Sequence, residues 1–120
     1  MHVVHRPSDG SERTLATDVE VADTLLGKAR GLMFRRSIPE KYALVFRFGK
    51  PVTRGVHMLC VPFDIDAVWL VDGRVERVMR LPAWYGYGRG RGDTVLELPA
   101  GGADGVEPGD RVAVVGGREG

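Results

Sequence analysis

The chain has 120 residues, of which 43% are hydrophobic and 28% charged, and its formal net charge is +1. These values predict one globular domain, residues 1–120, and exclude a global field that would attract nucleic acid or an anionic membrane. One cysteine, Cys60, excludes an intrachain disulfide. No apolar run has bilayer-spanning length and no signal-peptide pattern opens the chain, so we expect a cytoplasmic protein with no membrane partner.

Short β-type runs separated by glycine and proline predict a mainly β fold, either an antiparallel β-sandwich or a distorted barrel. "HVVHR" predicts the first strand, "PSDGSE" a turn, and "RTLATDVEVA" a second run with partial alternation. We expect one short helix at about residues 22–30. There Asp23 or Thr24 can cap the start, and Gly31 suits a positive φ just after the end.

Two strands are predicted between residues 42 and 59. "YALVFRF" is the first, and a break at "GKPVTRG" separates it from the second, Val56 to Leu59. Pro62 lacks an N–H donor and therefore precedes a new strand, which begins at Asp64 or Asp66 and ends at Val71.

A hairpin follows, because Asp72-Gly73 is a strong two-residue turn signal. A tight turn sets Leu70 opposite Val75. The returning strand "RVERVMRL" then needs a bulge near Glu76 or Arg77, since Val75 and Val78 cannot otherwise face the same side.

The segment "PAWYGYGRGRGD" is interpreted as a glycine-rich, aromatic and basic loop, and "TVLELPAG" and "RVAVV" as strands. Residues 116–120 are expected to form a frayed tail. Glu97 lies between Leu96 and Leu98, where a carboxylate can face solvent, pair with an arginine or hold a raised pKa in a pocket. The first two are the commoner arrangements.

The order of these landmarks resembles the domain of unknown function 192 family of uncharacterised conserved prokaryotic proteins. The resemblance covers about residues 17–114 and is carried by "LLGKARGLMFR", "ALVFRF", "HMLCVPFDIDAVWLVDGRV", "LPAWYGY" and "VLELPAGGADGVEPGDRV". It implies a compact, mainly β, single-domain fold and no agreed reaction. Many relatives read Trp-Met-Lys-Asn-Thr where this chain has "GVHML", so a function tied to that polar pocket cannot be transferred.

One candidate site is the group His57, Cys60, Asp64 and Asp66. Histidine, thiolate and carboxylate are zinc-type ligands, but no second histidine or cysteine lies at motif spacing. We favour a structural role for the four residues, and expect no metal and no cofactor. The alternative is a small hydrolase in which His57 acts with Asp64 or Asp66.

The other candidate site is the loop 84–91, where aromatic rings alternate with arginines. Such rings suit a sugar or a base, and arginines suit an anion. The leading hypothesis is a non-enzymatic module that binds a small molecule or carbohydrate. RNA or anion binding through this loop is a further alternative, and the oligomeric state stays open. The expected ligand-binding residues are Trp84, Tyr85, Tyr87, Arg89, Arg91 and His57.

Overall fold

A computed structural model describes residues 1–22, 24, 27 and 30–116. Most of the described chain is strand. The strands are β1 (His2–Arg6), β2 (Arg13–Ala16), β3 (Asp18–Ala22), β4 (Tyr42–His57), β5 (Ile65–Val71), β6 (Arg74–Leu81), β7 (Tyr87–Pro99) and β8 (Arg111–Val115). The mainly β prediction is confirmed.

The strands form one eight-stranded sheet in the order β2-β1-β8-β6-β5-β7-β4-β3. All neighbours run antiparallel except β3 and β4, which are parallel. Between β6 and β8 the strand register holds a single pair, Arg74 opposite Arg111. The sheet therefore consists of a three-stranded part and a five-stranded part joined by a narrow link.

Two hydrophobic cores lie on opposite faces of the five-stranded part. The inner core takes Val45, Leu96 and their neighbours, together with Val3 and Val112 from the three-stranded part. The sheet thus rolls over so that its two parts cover one interior, as in a sandwich. The outer core contains Phe46, Trp69 and their neighbours. Side chains from two connecting segments, among them Leu32 and Met58, cover it.

The predicted hairpin is confirmed. Asp72 and Gly73 have φ of 52° and 77°, the left-handed values that a primed two-residue turn requires. Leu70 lies opposite Val75, as expected, while Trp69 lies opposite Arg77. Glu76 is the extra residue, so the bulge falls where the apolar pattern of β6 goes out of step.

The sequence predictions about β4 and about the start of β7 are wrong. No break separates residues 42–48 from residues 56–59, because β4 continues to His57 through an irregularity between Arg47 and Val52. Leu59 lies in a turn. The predicted loop 84–91 is a loop only as far as Gly86, since β7 begins at Tyr87.

The glycines of this segment are explained by packing. A Cβ on Gly90 would stand 2.9 Å from the indole ring of Trp69, and one on Gly88 would stand 2.6 Å from Met79 Sδ. Trp69 is fully buried and donates its indole N–H to the Arg54 carbonyl at 2.9 Å. Alternate glycines therefore form a strand face on which large side chains rest directly against the backbone.

The helix predicted at residues 22–30 falls mostly outside the described residues. Ala22 is the last residue of β3. Thr24 Oγ1 accepts from the Gly27 N–H at 2.9 Å, a capping-type contact, and Gly31 has the expected positive φ of 52°. The tail prediction for residues 116–120 likewise lies outside the described chain beyond Gly116.

A buried carboxylate, Asp66, ties the end of β7 to the sheet. It is 3% exposed and receives two hydrogen bonds from Arg80, at 2.7 and 3.3 Å. It also receives the Gly101 and Ala103 backbone N–H groups at 3.0 Å each. Four donors replace the water that a carboxylate loses on burial, which makes this burial tolerable.

We expect Asp66→Ala to destabilise the fold by about 3 kcal/mol, because the Gly101 and Ala103 N–H groups lose their acceptor and Arg80 keeps only Asp104. Asp64→Ala is the matched control. Asp64 is exposed and accepts only the Ala83 N–H, at 2.8 Å, so its loss should cost about 1 kcal/mol. Urea denaturation of both variants measures the difference, and equal losses would contradict the structural role of Asp66.

The glycine packing predicts unequal effects of two similar substitutions. Gly90→Ala presses a methyl group onto a rigid, enclosed ring and should cost about 1–3 kcal/mol. Gly88→Ala meets the flexible end of Met79, which can move, so it should cost less. Thermal unfolding of the two variants compares them, and a larger loss for Gly88→Ala would refute this explanation.

Candidate functional site

Glu97 lies at the centre of the sheet with apolar neighbours on both sides. In the register of β7 it stands opposite Leu44 of β4 and Ala67 of β5, both of which belong to the outer core. Residues directly opposite in a sheet share a face, so the carboxyl group points into that core. Glu97 is only 7% exposed.

A cavity of about 90 Å³ lies over Glu97. That is room for roughly half a dozen water molecules or for one small organic molecule. Gly31 borders it closely, because a Cβ there would stand 3.9 Å from Glu97 Oε1 and 3.4 Å from Phe46 Cζ. The walls are mainly apolar and include Leu32, Met33, Phe46, Phe48, Val56, Met58 and Val95.

No hydrogen bond reaches the Glu97 carboxyl from the residues that the structure describes. Burial raises its pKa from 4.5 to about 8, an effect that the charge of Arg35 only partly offsets. Arg35 itself is held elsewhere, donating to Glu20 at 2.8 Å and to the Tyr42 hydroxyl at 3.0 Å. At neutral pH the Glu97 group is therefore mostly a neutral carboxylic acid, able to donate one hydrogen bond and accept others.

The remaining polar groups of the cavity are Arg30, which donates to the Met33 carbonyl at 3.3 Å, and two residues of β4. Arg54 places its guanidinium 4.0 Å from the centroid of the Phe48 ring and donates to the Gly92 and Lys50 carbonyls at 3.4 and 3.1 Å. His57 also lines the cavity, is exposed, and accepts the Leu59 N–H on Nδ1 at 3.2 Å. The cavity thus combines a neutral acid, an imidazole and two guanidinium groups with mainly apolar walls.

The structure does not bring His57 together with the two aspartates named beside it. Asp64 holds the Ala83 N–H, and Asp66 faces the opposite side of the sheet, where Arg80 and two backbone N–H groups bind it. Cys60 lies in a turn with φ of 60° and is half-buried. No hydrogen bond or ion pair among the described residues links these groups to His57, so the hydrolase hypothesis gains no support from the geometry.

Four of the predicted ligand-binding residues meet on one surface. His57 lies opposite Tyr87, and the glycine at position 55 opposite Arg89. The strand alternation that turns Gly88 and Gly90 inward turns Tyr87, Arg89 and Arg91 outward. Trp84 and Tyr85 lie just before β7 and are 53% and 90% exposed.

Neither a metal-binding cluster nor a membrane-spanning helix is found among the described residues. No group of three or more His, Cys, Asp or Glu side chains in residues 1–22, 24, 27 and 30–116 could hold a metal ion. In the same part of the chain no helix has the length and apolar character needed to cross a membrane.

The model of the DUF192 family ("Uncharacterized ACR") matches residues 6–114. The chain belongs to the DUF192 family. A search of curated proteins finds no match. The expected family is thus confirmed, and its description assigns no activity.

Two solved structures share this fold. A protein from Sinorhizobium meliloti 1021, described as a putative transcription regulator, is 26% identical with a TM-score of 0.81, over 93% of this chain and 92% of its own. A protein of unknown function from Novosphingobium aromaticivorans DSM 12444 is 24% identical with a TM-score of 0.80, over 95% and 84% of the two chains. This DUF192 chain therefore has a fold already seen in bacterial proteins.

Sequence reasoning missed the cavity and ranked Glu97 wrongly, because the group neither faces solvent nor forms an ion pair among the described residues. A signal was present: Val95 and Glu97 share one side of a strand whose other side is Leu96 and Leu98. Both sides of such a strand are buried if it lies in the middle of a sheet.

The raised pKa of Glu97 predicts a pH-dependent penalty. The folded carboxyl keeps its proton up to about pH 8, whereas the unfolded one ionises near 4.5. The wild type should therefore lose stability as pH rises from 4.5 to 8, by up to a few kcal/mol at about 1.4 kcal/mol per pKa unit. Glu97→Gln cannot ionise and should be increasingly more stable than the wild type across this window.

Urea denaturation at several pH values between 4.5 and 8 measures the effect as the difference between the two proteins. Glu76→Gln, at an exposed position of β6, removes one carboxylate without touching the cavity and should follow the wild type. A wild type and a Glu97→Gln variant that keep a constant difference over the window would disprove the raised pKa.

Proposed function

We propose that this DUF192 protein is a non-enzymatic binding protein for a small ligand, which enters the cavity over Glu97 and passes His57 and Arg54. The observation that carries the proposal is the Glu97 carboxyl, which lines the cavity in a residue more than nine-tenths buried and receives no hydrogen bond from the described residues. No fully enclosed side-chain polar atom of the described residues lacks a hydrogen-bond partner, so the carboxyl oxygens keep access to the cavity. A carboxyl group in an apolar enclosure still costs free energy that a leucine at this position would avoid. A ligand that hydrogen bonds to the carboxyl would offset it.

The chemistry of the cavity limits the ligand. An apolar enclosure containing a few polar groups is the usual form of a small-molecule site. A neutral carboxylic acid pairs well with an amide, a hydroxyl or another carboxylic acid, since each can accept and return a hydrogen bond. The cavity volume of about 90 Å³ restricts the buried part of the ligand to a few heavy atoms.

The carbohydrate hypothesis concerns a different surface. A sugar ring usually stacks on an exposed aromatic face. The exposed rings among the described residues are Phe34, Trp84, Tyr85 and Tyr87, whereas Phe46 is buried and Phe48 half-buried. We therefore favour a small amide, alcohol or carboxylic acid for the cavity.

A thermal-shift screen with short-chain amides, diols and carboxylic acids tests this proposal. A compound that raises the melting temperature of the wild type should lose its effect in Glu97→Leu, which fills the site with an apolar group, and keep part of it in Glu97→Gln. Glu76→Leu is the matched control at an exposed position and should respond like the wild type. A compound that stabilises Glu97→Leu as much as the wild type would place its binding elsewhere.

A further inference from the structure

The β4–β7 ribbon, residues 52–57 paired with residues 87–92, has one face turned away from both cores. On the covered face, Met79 and Trp69 of the outer core pack against Gly88 and Gly90. On the exposed face, Tyr87 is 58% exposed, and Arg89 and Arg91 are exposed as well. The aromatic and cationic side chains are thus presented together by the backbone of one regular strand.

The Tyr87 ring has a defined position on this face. A Cβ on Gly55 would stand 2.8 Å from the Tyr87 hydroxyl oxygen and 3.3 Å from its ring. The ring therefore lies across Gly55, in space that any larger residue would occupy. His57, directly opposite Tyr87, borders the same ring. Because Tyr87 is 58% exposed, much of the ring stays open for stacking.

The arginines of this surface are not neutralised. In the described part of the chain no carboxylate lies within ion-pair distance of Arg77, Arg89 or Arg91. Asp93, which follows on β7, is bound to the Asp72 N–H and to its own neighbour, Thr94. A local positive field therefore exists although the net charge of the whole chain is only +1.

A shallow groove adds the third cation. Arg77 and Met79 of β6 and Tyr87 and Arg89 of β7 line it. Tyr87 thus has an arginine across the groove and another two residues along its own strand. Residues two apart on a strand are roughly 6–7 Å apart, a separation comparable to that of successive phosphates in an extended nucleic-acid strand.

The aromatic turn before β7 is fixed by hydrogen bonds. The Trp84 N–H donates to the Val61 carbonyl at 3.0 Å, and the Gly86 N–H to the Pro82 carbonyl at 3.0 Å. Asp64 holds the Ala83 N–H. Trp84 has a φ of 68°, an uncommon conformation for a bulky residue, and the turn keeps its side chain 53% exposed. A preorganised aromatic surface loses less entropy when it binds.

We propose that this face of the β4–β7 ribbon, together with the groove along its edge, binds single-stranded nucleic acid. Phosphates lie on Arg89 and Arg91 of the face and on Arg77, which reaches the groove from the side that carries Trp69, and a base stacks on Tyr87. Alternation of arginines with an exposed ring suits this ligand, because the backbone offers regularly spaced charges and every base offers a π-face. A neutral oligosaccharide would leave the three cations unused, and an acidic peptide would leave the rings unused. Gly55 and His57 border both this face and the Glu97 cavity. Arg77, Tyr87, Arg89 and Arg91 do not line the cavity, so variants at those four positions test this proposal independently of the small-ligand proposal.

Fluorescence anisotropy with labelled oligo(dT) and oligo(U) of about 12 nucleotides tests the proposal. The wild type should bind both at about 50 mM salt and weaken as salt rises to about 200 mM. Arg89→Ala/Arg91→Ala should lower the slope of log affinity against log salt by about 1.4, because each phosphate contact in a single strand contributes about 0.7. Tyr87→Ala should weaken binding about tenfold and leave the slope unchanged.

Arg36→Ala/Arg111→Ala is the charge-matched control, since both arginines are exposed and lie outside the ribbon; its binding should stay within about twofold of the wild type. Circular dichroism and thermal unfolding confirm that the variants are folded. Absence of binding by the wild type at about 50 mM salt, or equal losses in the control and the ribbon variant, would overturn the proposal. So would polyglutamate competing as well as the oligonucleotides, or an unaltered affinity of Tyr87→Ala.

Discussion

Strand β7 is the constraint on which the rest of the molecule depends. From residue 94 to residue 97 it pairs with β4 on one side and β5 on the other, and a hydrophobic core covers each face. Every polar side chain in this stretch must therefore find its partner inside the protein. Leu96 needs no such partner because it is apolar. Glu97 needs one and has no hydrogen-bond partner among the described residues.

The same strand has a second environment nearer its start. Residues 87–92 pair with β4, and only their glycine face is covered. The alternation is reset between the two halves: Gly90 and Val95 are five positions apart, which in a regular strand would put them on opposite faces, yet both face the core that contains Trp69. An irregularity in the pairing with β4 marks this change. One strand thus supplies an enclosed site from one half and an open surface from the other.

Local signals were sufficient to predict the mainly β class, the Asp72-Gly73 hairpin and the bulge at Glu76. Each of these follows from residues within one turn or one strand. The glycines before Asp93 led to the wrong prediction of a loop, because glycine is also common in loops. Their real cause is the volume of Trp69 and Met79, which approach from other strands, and no short window of sequence contains that information. The period of two in "GYGRGRG" was nevertheless a strand signal.

Glu97 was underestimated for a related reason. A glutamate between two leucines fits an edge strand with one solvated face as well as a central strand with none. Only the order of strands distinguishes these cases, and strand order is set by pairings between distant parts of the chain. The departure from the family's polar pentapeptide at residues 55–59 did not remove every polar group from this region, because Glu97 reaches the cavity from another strand.

The three acids that the sequence singled out differ in what surrounds them rather than in their chemistry. Asp64 and Asp66 are fully used: one fixes the turn before β7, and the other fixes the glycine-rich segment after it. A carboxylate that holds backbone N–H groups is a structural element of the fold. Glu97 holds no backbone N–H group among the described residues, and its carboxyl group lines the cavity. Satisfied hydrogen bonding therefore separates the two acids that build this DUF192 domain from the one on which the ligand-binding proposal rests.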